Sequence, residues 1–345
     1  MEVRHGATVV ATGGREYRGD EYLCGSHPAV ITGSEFESLL AWADGRQGPV
    51  DPRVLEARAG LPGPLPQRVA MILCVGPAER TCARICCTTA LKNALLLKRL
   101  QPEAQVTILY RDVRAYGFKE RLYTEARRAG VLFVRYEGGA PPEVTASDGR
   151  LQIRLRDPGL GTQLLLEPDL LVLSNPVVPS EGSRQVATTL KIPVDADGYF
   201  LEAHVKLRPV DFSTEGIFMA GLAHYPKLID ESLVQAKAAA ARAARVLSRP
   251  SLTAGGAVAQ VDPELCVGCL TCVRICPFGV PQVTSAALGV GGILGAASIE
   301  PTTCRGCGAC VAECPAKAIQ LAHFRDDQLM VKLEALLAPA EAPRV

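Results

Sequence analysis

The sequence has almost no net charge and few of the patterns that mark exported or membrane proteins. Its 345 residues include 37 lysines and arginines against 36 aspartates and glutamates. That balance favours neither a nucleic-acid surface nor a strong field for charged substrates. The longest apolar stretch, residues 284–299, is rich in glycine and too short for a bilayer core of about 30 Å. The first residues show no signal-peptide pattern. We therefore expect a cytoplasmic protein without a transmembrane segment or a nucleic-acid partner.

The common catalytic arrangements are also missing. The five histidines are scattered, and no Ser–His–Asp set, paired carboxylates or phosphate-binding loop is recognisable. The sequence therefore assigns no catalytic residue. What it does contain is cysteine, thirteen in all. In a chain of this length, C-x-x-C clusters without an export signal indicate metal ligation in a reducing compartment rather than disulfides.

Eight cysteines form two copies of the spacing C-x-x-C-x-x-C-x-x-x-C-P, closed by Pro277 and Pro315. The copies are Cys266, Cys269, Cys272, Cys276 and Cys304, Cys307, Cys310, Cys314. In two-cluster ferredoxins the fourth cysteine of each copy ligates the other cluster. We therefore expect one [4Fe–4S] cluster on Cys266, Cys269, Cys272 and Cys314, and a second on Cys304, Cys307, Cys310 and Cys276. This part of the chain is predicted to carry electrons.

Ahead of this repeat the chain alternates between short apolar runs and helical patterns. Predicted strands cover residues 6–12, 69–75, 106–110, 131–136 and 169–174, and predicted helices cover 88–100, 119–129 and 232–247. This alternation favours a parallel sheet of the Rossmann kind. A Gly/Ala segment, residues 253–259, is interpreted as a linker. The tail, residues 327–337, is predicted to be a helix that packs on the ferredoxin unit, with a solvated helix as the alternative.

A third cysteine group stands where a Rossmann unit would have its glycine-rich turn. The segment reads CVGPAERTCARICC, with the cysteines at Cys74, Cys82, Cys86 and Cys87. Around a strand end and a helix start, four thiolates could enclose another [4Fe–4S] cluster near backbone N–H groups. A buried patch of cysteines is the alternative, since free cysteine packs as a small hydrophobe. Without the glycine turn, a pyridine nucleotide is not expected here.

Several motifs together resemble one family. The segments GATVVATG, CVG…C…CC, KLRP and GIFMAGLAHYPKLIDESLVQAKAAAA are similar to the A-type subunit of heterodisulfide reductase. The resemblance runs from about Gly6 to Leu337. It implies an α/β, thioredoxin-reductase-like fold, a partial FAD domain plus a Rossmann-like domain, followed by an α+β bacterial-type ferredoxin domain. It also implies that Cys74, Cys82, Cys86 and Cys87 are cluster ligands, which makes three [4Fe–4S] clusters.

The resemblance also suggests a division of the chain. It assigns residues 1–66 to part of a flavin-type domain, 67–200 to a Rossmann-like domain with a cluster, 201–250 to the return segment of the flavin-type domain, and 251–345 to a 2[4Fe–4S] ferredoxin domain with a C-terminal helix. Partners implied by the family are other oxidoreductase subunits, of the heterodisulfide-reductase-like, hydrogenase or formate dehydrogenase type, or ferredoxin.

Whether this chain binds FAD is the open question about its cofactors. The resemblance places Thr12, Gly13 and Gly221 beside it, and Lys227 is a candidate for a cation near N5, with an exposed loop lysine as the alternative. No G-x-G-x-x-G turn precedes Gly6. A separate polypeptide could supply that segment, the sequence could be a fragment of a longer flavoprotein, or the flavin could have been lost.

The leading hypothesis is an electron-transfer subunit of a heterodisulfide-reductase-like oxidoreductase, relaying electrons through [4Fe–4S] clusters to or from a flavin. The alternatives are a self-sufficient FAD-dependent disulfide or quinone reductase and a flavin-free carrier resembling a polyferredoxin. The missing G-x-G-x-x-G turn, and the absence of a catalytic C-x-x-C in the flavin-type segments, weigh against the self-sufficient reductase.

Overall fold

The computed structural model describes residues 4–46, 52–61, 63–76, 82–251, 257–301 and 303–337. The first part of the expected linker, residues 253–256, lies outside them. Within these ranges, no helix combines the length and the apolar character that a membrane crossing requires.

The strands are, in chain order, β1 (Thr8–Val10), β2 (Gly14–Glu16), β3 (Val30–Thr32), β4 (Arg68–Leu73), β5 (Gln105–Tyr110), β6 (Leu132–Arg135), β7 (Glu143–Ser147), β8 (Arg150–Arg156), β9 (Gln163–Leu166), β10 (Leu170–Ser174), β11 (Val177–Pro179), β12 (Ile217–Met219), β13 (Ala259–Val261), β14 (Gln282–Leu288), β15 (Leu294–Ser298) and β16 (Ile319–Leu321). The helices are α1 (Gly33–Ala43), α2 (Pro52–Ala59), α3 (Ile85–Leu100), α4 (Glu120–Arg128), α5 (Ser183–Leu190), α6 (Ile229–Leu247), α7 (Thr271–Ile275), α8 (Ala309–Ala312) and α9 (Asp326–Leu337).

A five-stranded parallel sheet, in the order β3-β10-β4-β5-β6, forms the centre of the molecule. Its middle strand β4 is buried beyond Arg68, as parallel strands covered on both faces are. Val69 and Met71 belong to the core on one side, with residues of α1, α3 and α4. Ala70 and Ile72 belong to the core on the other side, with residues of β8. Because successive side chains of a strand point to opposite faces, β4 contributes residues to the cores on both sides of the sheet.

The order β6-β5-β4-β10 is that of a Rossmann sheet, with α3 and α4 as crossovers. Helix α3 is rich in leucine and alanine and ends with Lys98 and Arg99, which suit the negative end of the helix dipole. Cys74 directly follows β4. Because the carboxyl ends of parallel strands share one edge, the third cysteine group lies at the edge where α/β proteins bind ligands.

A second unit of the fold joins the beginning of the chain to residues 217–247. Strand β1 pairs in parallel with β12, with Val9 opposite Phe218, and α6 packs on this pair. Asp211 is 1% exposed, and Arg242 of α6 binds both of its carboxylate oxygens at 2.6–3.1 Å. This ion pair fixes the helix to the strands.

The part of the chain with the two repeated cysteine motifs, from β13 to β16 and called the dicluster domain below, contains two antiparallel pairs, β13 with β16 and β14 with β15. The short helices α7 and α8 of this domain carry cysteines. Its buried core consists of Cys266, Cys272, Cys310, Cys314, alanines and Ile319. Large apolar side chains are scarce among the buried residues of this domain.

The predicted strands and crossover helices of the central sheet are present, within a few residues of their expected ends. Helix α1 was not predicted, although its capping box is visible as Thr32-x-x-Glu35: Thr32 N–H donates to Glu35 Oε2 at 2.8 Å, and Glu35 N–H to Thr32 Oγ1 at 3.4 Å. Strand β3, which comes from the segment 1–66, extends the central sheet by pairing with β10, and α1 directly follows it. The apolar stretch 284–299 forms most of the β14–β15 hairpin.

The tail helix α9 exists, but none of its residues is buried. The prediction that it packs on the ferredoxin unit is therefore wrong, and the solvated helix is correct. Lys332 binds the His323 carbonyl at 2.9 Å and lies 5.4 Å from the Phe324 ring centroid. These contacts lie within its own segment.

Candidate functional site

The first cysteine loop of the dicluster domain surrounds a small cavity. Its lining includes Cys266, Cys269, Cys272 and Cys314, with Val283, Ala297 and Ile319 as apolar neighbours. The fourth cysteine of the second motif thus faces the first three cysteines of the first motif. This placement is compatible with the exchange of ligands that the spacing predicts.

The remaining four cysteines of the two motifs also lie together. Burial raises the pKa of Cys310 to about 11, and the neighbouring thiols of Cys304, Cys307 and Cys276 act in the same direction. The raised pKa favours the neutral thiol of Cys310, and iron bound by these four cysteines would favour the thiolate form that ligates metal.

Backbone N–H groups point at several of these sulfurs. Ala297 N–H donates to Cys266 Sγ at 3.3 Å, Ala259 N–H to Cys304 Sγ at 3.4 Å, and Val280 N–H to Cys276 Sγ at 3.5 Å. Hydrogen bonds to ligand sulfur stabilise the thiolate and tune the potential of an iron–sulfur centre. The loops are therefore arranged for anionic sulfur ligands.

In the part of the chain that the structure describes, no three histidine, cysteine or acidic side chains converge on a point that could hold one metal ion. A [4Fe–4S] cluster binds one thiolate at each of four iron corners. The thiols around it therefore stand farther apart than the ligands of one ion.

The third cysteine group spans the end of β4 and the start of α3. Cys74 is half-buried and has a φ of +62°, while Cys86 and Cys87 are buried in the first turn of α3. Residues 77–81, between Cys74 and Cys82, lie outside the described ranges.

These thiols influence one another's pKa values, so they are neighbours in space. Burial raises the pKa of Cys74, and Cys87 and Cys82 add to the rise. A hydrogen bond between Cys86 and Cys87 lowers the pKa of Cys87 to about 7 and raises that of Cys86. Arg84 N–H donates to Cys82 Sγ at 3.4 Å. The sequence-predicted group is thus brought together in space.

Arg84 connects this group to the segment that follows β12. Its Nη2 donates to the Pro226 carbonyl at 3.2 Å, its Nη1 lies 3.5 Å from Glu231 Oε1, and the guanidinium is 5.2 Å from the Tyr225 ring centroid. The cysteine turn therefore lies beside the loop that contains Lys227. This role of Arg84 was not predicted, because its partners are far away in sequence.

The candidate flavin residues occupy one edge of the β1–β12 pair. Thr12 and Gly13 follow β1, and Gly221 follows β12; since the strands are parallel, both turns lie at the same end. A side chain added at Gly13 or Gly221 would meet nothing within 4 Å among the described atoms. Thr12 Oγ1 lies 3.3 Å from Ser183 Oγ. The pair thus has an open end on which a flat ligand could lie.

Lys227 is 4% exposed, so the alternative of an exposed loop lysine is wrong. Its Nζ donates to Gly221 O at 2.7 Å and Tyr225 O at 3.2 Å, and it lies 3.9 Å from the Tyr225 ring centroid. Burial lowers the pKa of Lys227 to about 8. The ammonium group holds the turn at Gly221 in place.

A chain of hydrogen-bonded, largely half-buried polar side chains supports the same turn, and the sequence did not predict it. Gly221 N–H donates to Gln235 Oε1, Gln235 Nε2 donates to His224 Nδ1, and His224 Nε2 faces Glu202 Oε2, each at 2.8 Å. Since Gln235 donates to Nδ1, the histidine proton is on Nε2. Burial lowers the pKa of His224, which favours that neutral form. The Gly221 amide is therefore engaged within the protein.

Comparisons with known proteins show which proteins the chain resembles. Residues 265–319 match the family model of a 4Fe–4S dicluster domain. Over 98% of its length the chain is 38% identical to the A-type subunit of the H(2):CoB-CoM heterodisulfide,ferredoxin reductase of Methanothermobacter thermautotrophicus. It is 39% identical, again over 98% of its length, to the A-type subunit of the ferredoxin:CoB-CoM heterodisulfide reductase of Methanosarcina mazei.

Over nearly its whole length the chain is therefore similar to the A-type subunits of heterodisulfide reductases. It covers 50% of the Methanothermobacter relative and 42% of the Methanosarcina relative, so it spans about half the length of these proteins. Among solved structures, T. acidophilum thioredoxin reductase matches with a TM-score of 0.41 and 14% identity, over 70% of this chain and 64% of that one. The family resemblance found in the sequence motifs is confirmed by the two reductase relatives.

Proposed function

We propose that this chain is an electron-transfer component of a larger oxidoreductase complex. The observation that carries the proposal is the crossed set of thiols, with Cys314 of the second motif in the cavity of Cys266, Cys269 and Cys272. A sequence repeat alone would not require the two loops to meet. Interleaved ligand sets place two clusters side by side, as electron transfer between them demands.

Three [4Fe–4S] clusters belong to this proposal, and the chemistry they supply is one-electron transfer. The dicluster domain would hold two through the crossed cysteine sets. Cys74, Cys82, Cys86 and Cys87 would hold the third, supported by their mutual proximity and by the N–H groups at the start of α3. The first loop of the dicluster domain exposes Leu265, Val267 and Leu270, each more than 40% exposed. This apolar rim suits docking of a hydrogenase, formate dehydrogenase or ferredoxin partner.

We further propose that FAD binds at the open end of the β1–β12 pair, near Thr12, Gly13, Gly221 and Lys227, in a site completed by a separate polypeptide. Parallel strands normally lie in larger sheets covered on both faces, whereas Val9 of this two-stranded pair is 44% exposed. An added β-strand with a G-x-G-x-x-G turn would cover it. The thirteen free thiols fit a reducing cytoplasm.

Iron analysis of the chain purified without oxygen tests the cluster proposal. We expect about twelve iron atoms per chain, four for each of three clusters. Cys82→Ser and Cys86→Ser should reduce this to about eight. Cys24→Ser is the matched control, because Cys24 is a buried cysteine outside the three sets, and it should keep about twelve. An unsubstituted chain with only about eight iron atoms would remove the third cluster.

Flavin analysis tests the shared site. The chain alone should contain little FAD, and co-purification with a protein that carries a G-x-G-x-x-G strand–turn–helix should give about one FAD per complex. Lys227→Gln should lower flavin retention in the complex while leaving iron unchanged. A chain that is yellow by itself, with stoichiometric FAD and turnover of a disulfide or quinone, would establish a self-sufficient reductase instead.

A further inference from the structure

A polar cleft of about 520 Å³ lies where the dicluster domain meets the rest of the molecule. Lys191, at the end of α5, and Thr214 line it from one side. Arg305, Ser298 and Thr303 line it from the dicluster domain. Its walls thus combine two cationic side chains with hydroxyl groups from separate parts of the chain.

Neither of the two cations forms an ion pair with a carboxylate among the described residues. Lys191 Nζ contacts the Gly279 carbonyl at 3.5 Å, and Arg305 Nη1 donates to the Ser213 carbonyl at 3.1 Å. Neither forms an ion pair within the described ranges, and the buried Nε of Arg305 has no hydrogen-bond partner there. A half-buried guanidinium without a counter-ion is unfavourable.

The acids nearby do not neutralise the cleft. Glu215 and the neighbouring Cys304 sulfur both influence Arg305, but Glu215 binds Arg208 at 3.0 Å and Cys304 belongs to a proposed set of cluster ligands. Glu300 is the acidic residue of the lining. Two cations against one carboxylate leave the lining with a net positive charge, and Thr214, Ser298 and Thr303 can donate further hydrogen bonds.

We propose that this cleft binds an oxyanion, a phosphate group that is either free or part of a small molecule. The anion would contact Lys191 and Arg305 together, because one residue lies on each side of the cleft. It would then hold the loop of Cys304 and Cys307 against the body of the protein. This site goes beyond the electron-transfer proposal and does not depend on it.

Calorimetric titration of the anaerobic, cluster-loaded chain tests the site, with inorganic phosphate and AMP as probes at constant ionic strength set with chloride. We expect saturable phosphate binding, weakened at least tenfold by Lys191→Gln and by Arg305→Gln. Lys237→Gln removes an exposed lysine on α6 and should bind like the unsubstituted chain. Tighter binding of AMP than of phosphate would assign the phosphate group to a nucleotide-like molecule, and equal or weaker binding to free phosphate.

Arg305 lies in a cysteine loop, so the iron content of Arg305→Gln is measured alongside. If that variant loses iron, Lys191→Gln decides the question, because Lys191 lies outside the cysteine motifs. The proposal would be overturned if the unsubstituted chain bound neither probe. It would also be overturned if Lys191→Gln bound phosphate as tightly as Lys237→Gln does.

Discussion

The third residue of each ferredoxin motif is a glycine that approaches another part of the backbone closely. Gly268 and Gly306 have φ values of +64° and +62°, and a Cβ would lie 2.6 Å from Gly295 O in one case and 2.1 Å from Ala257 O in the other. Both separations are far below van der Waals contact. The cysteine loops can therefore fold against their neighbouring segments only with glycine at these positions.

Gly306→Ala should disrupt its loop. The methyl group would force the backbone apart, in addition to the left-handed strain of about 1 kcal/mol, so we expect loss of about four iron atoms per chain and a lower Tm. Gly292→Ala is the control, since Gly292 also has a positive φ (+79°) but no described atom within 4 Å of its Cβ position. Full iron content in Gly306→Ala would mean that the loop tolerates the methyl group.

The titration of Lys227 should make the free energy of unfolding depend on pH. Burial lowers its pKa in the folded state to about 8, whereas an unfolded lysine titrates near 10.4. Between these values the unfolded chain binds more protons, so this residue makes folding more favourable as pH rises from about 8 to 10. Below about pH 8 the lysine is charged in both states, so burial of the ammonium group destabilises the fold in full, and this destabilisation is relieved as pH rises to about 10.

The measurement is a series of denaturant unfolding curves for the unsubstituted chain and Lys227→Gln. The difference in unfolding free energy between the two should change in favour of the unsubstituted chain as pH increases across that window. A constant difference between about pH 7 and 10 would show that Lys227 keeps its ordinary pKa.

At the scale of elements, one ion pair orients α6 on the β1–β12 strands. Asp211 is buried, and Arg242 binds it through two guanidinium nitrogens, with Arg208 as a second cation at 3.5 Å. A buried carboxylate that loses its main partner is strongly destabilising, but Arg242 is 35% exposed and Arg208 remains.

We therefore expect Arg242→Ala to lower the free energy of unfolding by about 2 kcal/mol, less than for a fully buried pair. Arg245→Ala, an exposed position on the same helix, should change it by less than about 0.5 kcal/mol. Urea denaturation measures both, and equal effects for the two variants would contradict the anchoring role.

At the scale of the whole molecule, the two parts are held together by different means. The central sheet has leucine, isoleucine and other large apolar side chains on its two faces. Among the described residues, four of the nine buried members of the dicluster core are cysteines, Ile319 is the one large apolar residue, and several valines pack around them half-buried. Ligand bonds to iron would therefore supplement the small hydrophobic core of this domain.

Removal of iron with a chelator should consequently unfold the dicluster domain and leave the central sheet folded. Hydrogen exchange followed by mass spectrometry would show rapid exchange in β13–β16, with β4 and β5 still protected. Equal protection of both regions before and after iron removal would show that the domain folds without its clusters.

Much of this architecture follows from local sequence signals. The apolar runs predict the strands of the central sheet, and the repeated cysteine spacing predicts which thiols share a site, because ligand geometry depends on short-range spacing. The α1 helix could have been found from Thr32-x-x-Glu35. The chain of hydrogen bonds from Gly221 to Glu202 could not have been found in this way, because its members come from separate elements and no sequence pattern joins them.

The sequence by itself determined the class of chemistry and the family resemblance, because cysteine spacing and strand–turn motifs are encoded within short stretches. Only the tertiary structure decided that Lys227 is buried, that Arg84 joins the third cysteine group to the Lys227 loop, and that Lys191 and Arg305 share a cleft. Burial and long-range contact depend on how distant elements pack. They are properties of the fold rather than of any one segment.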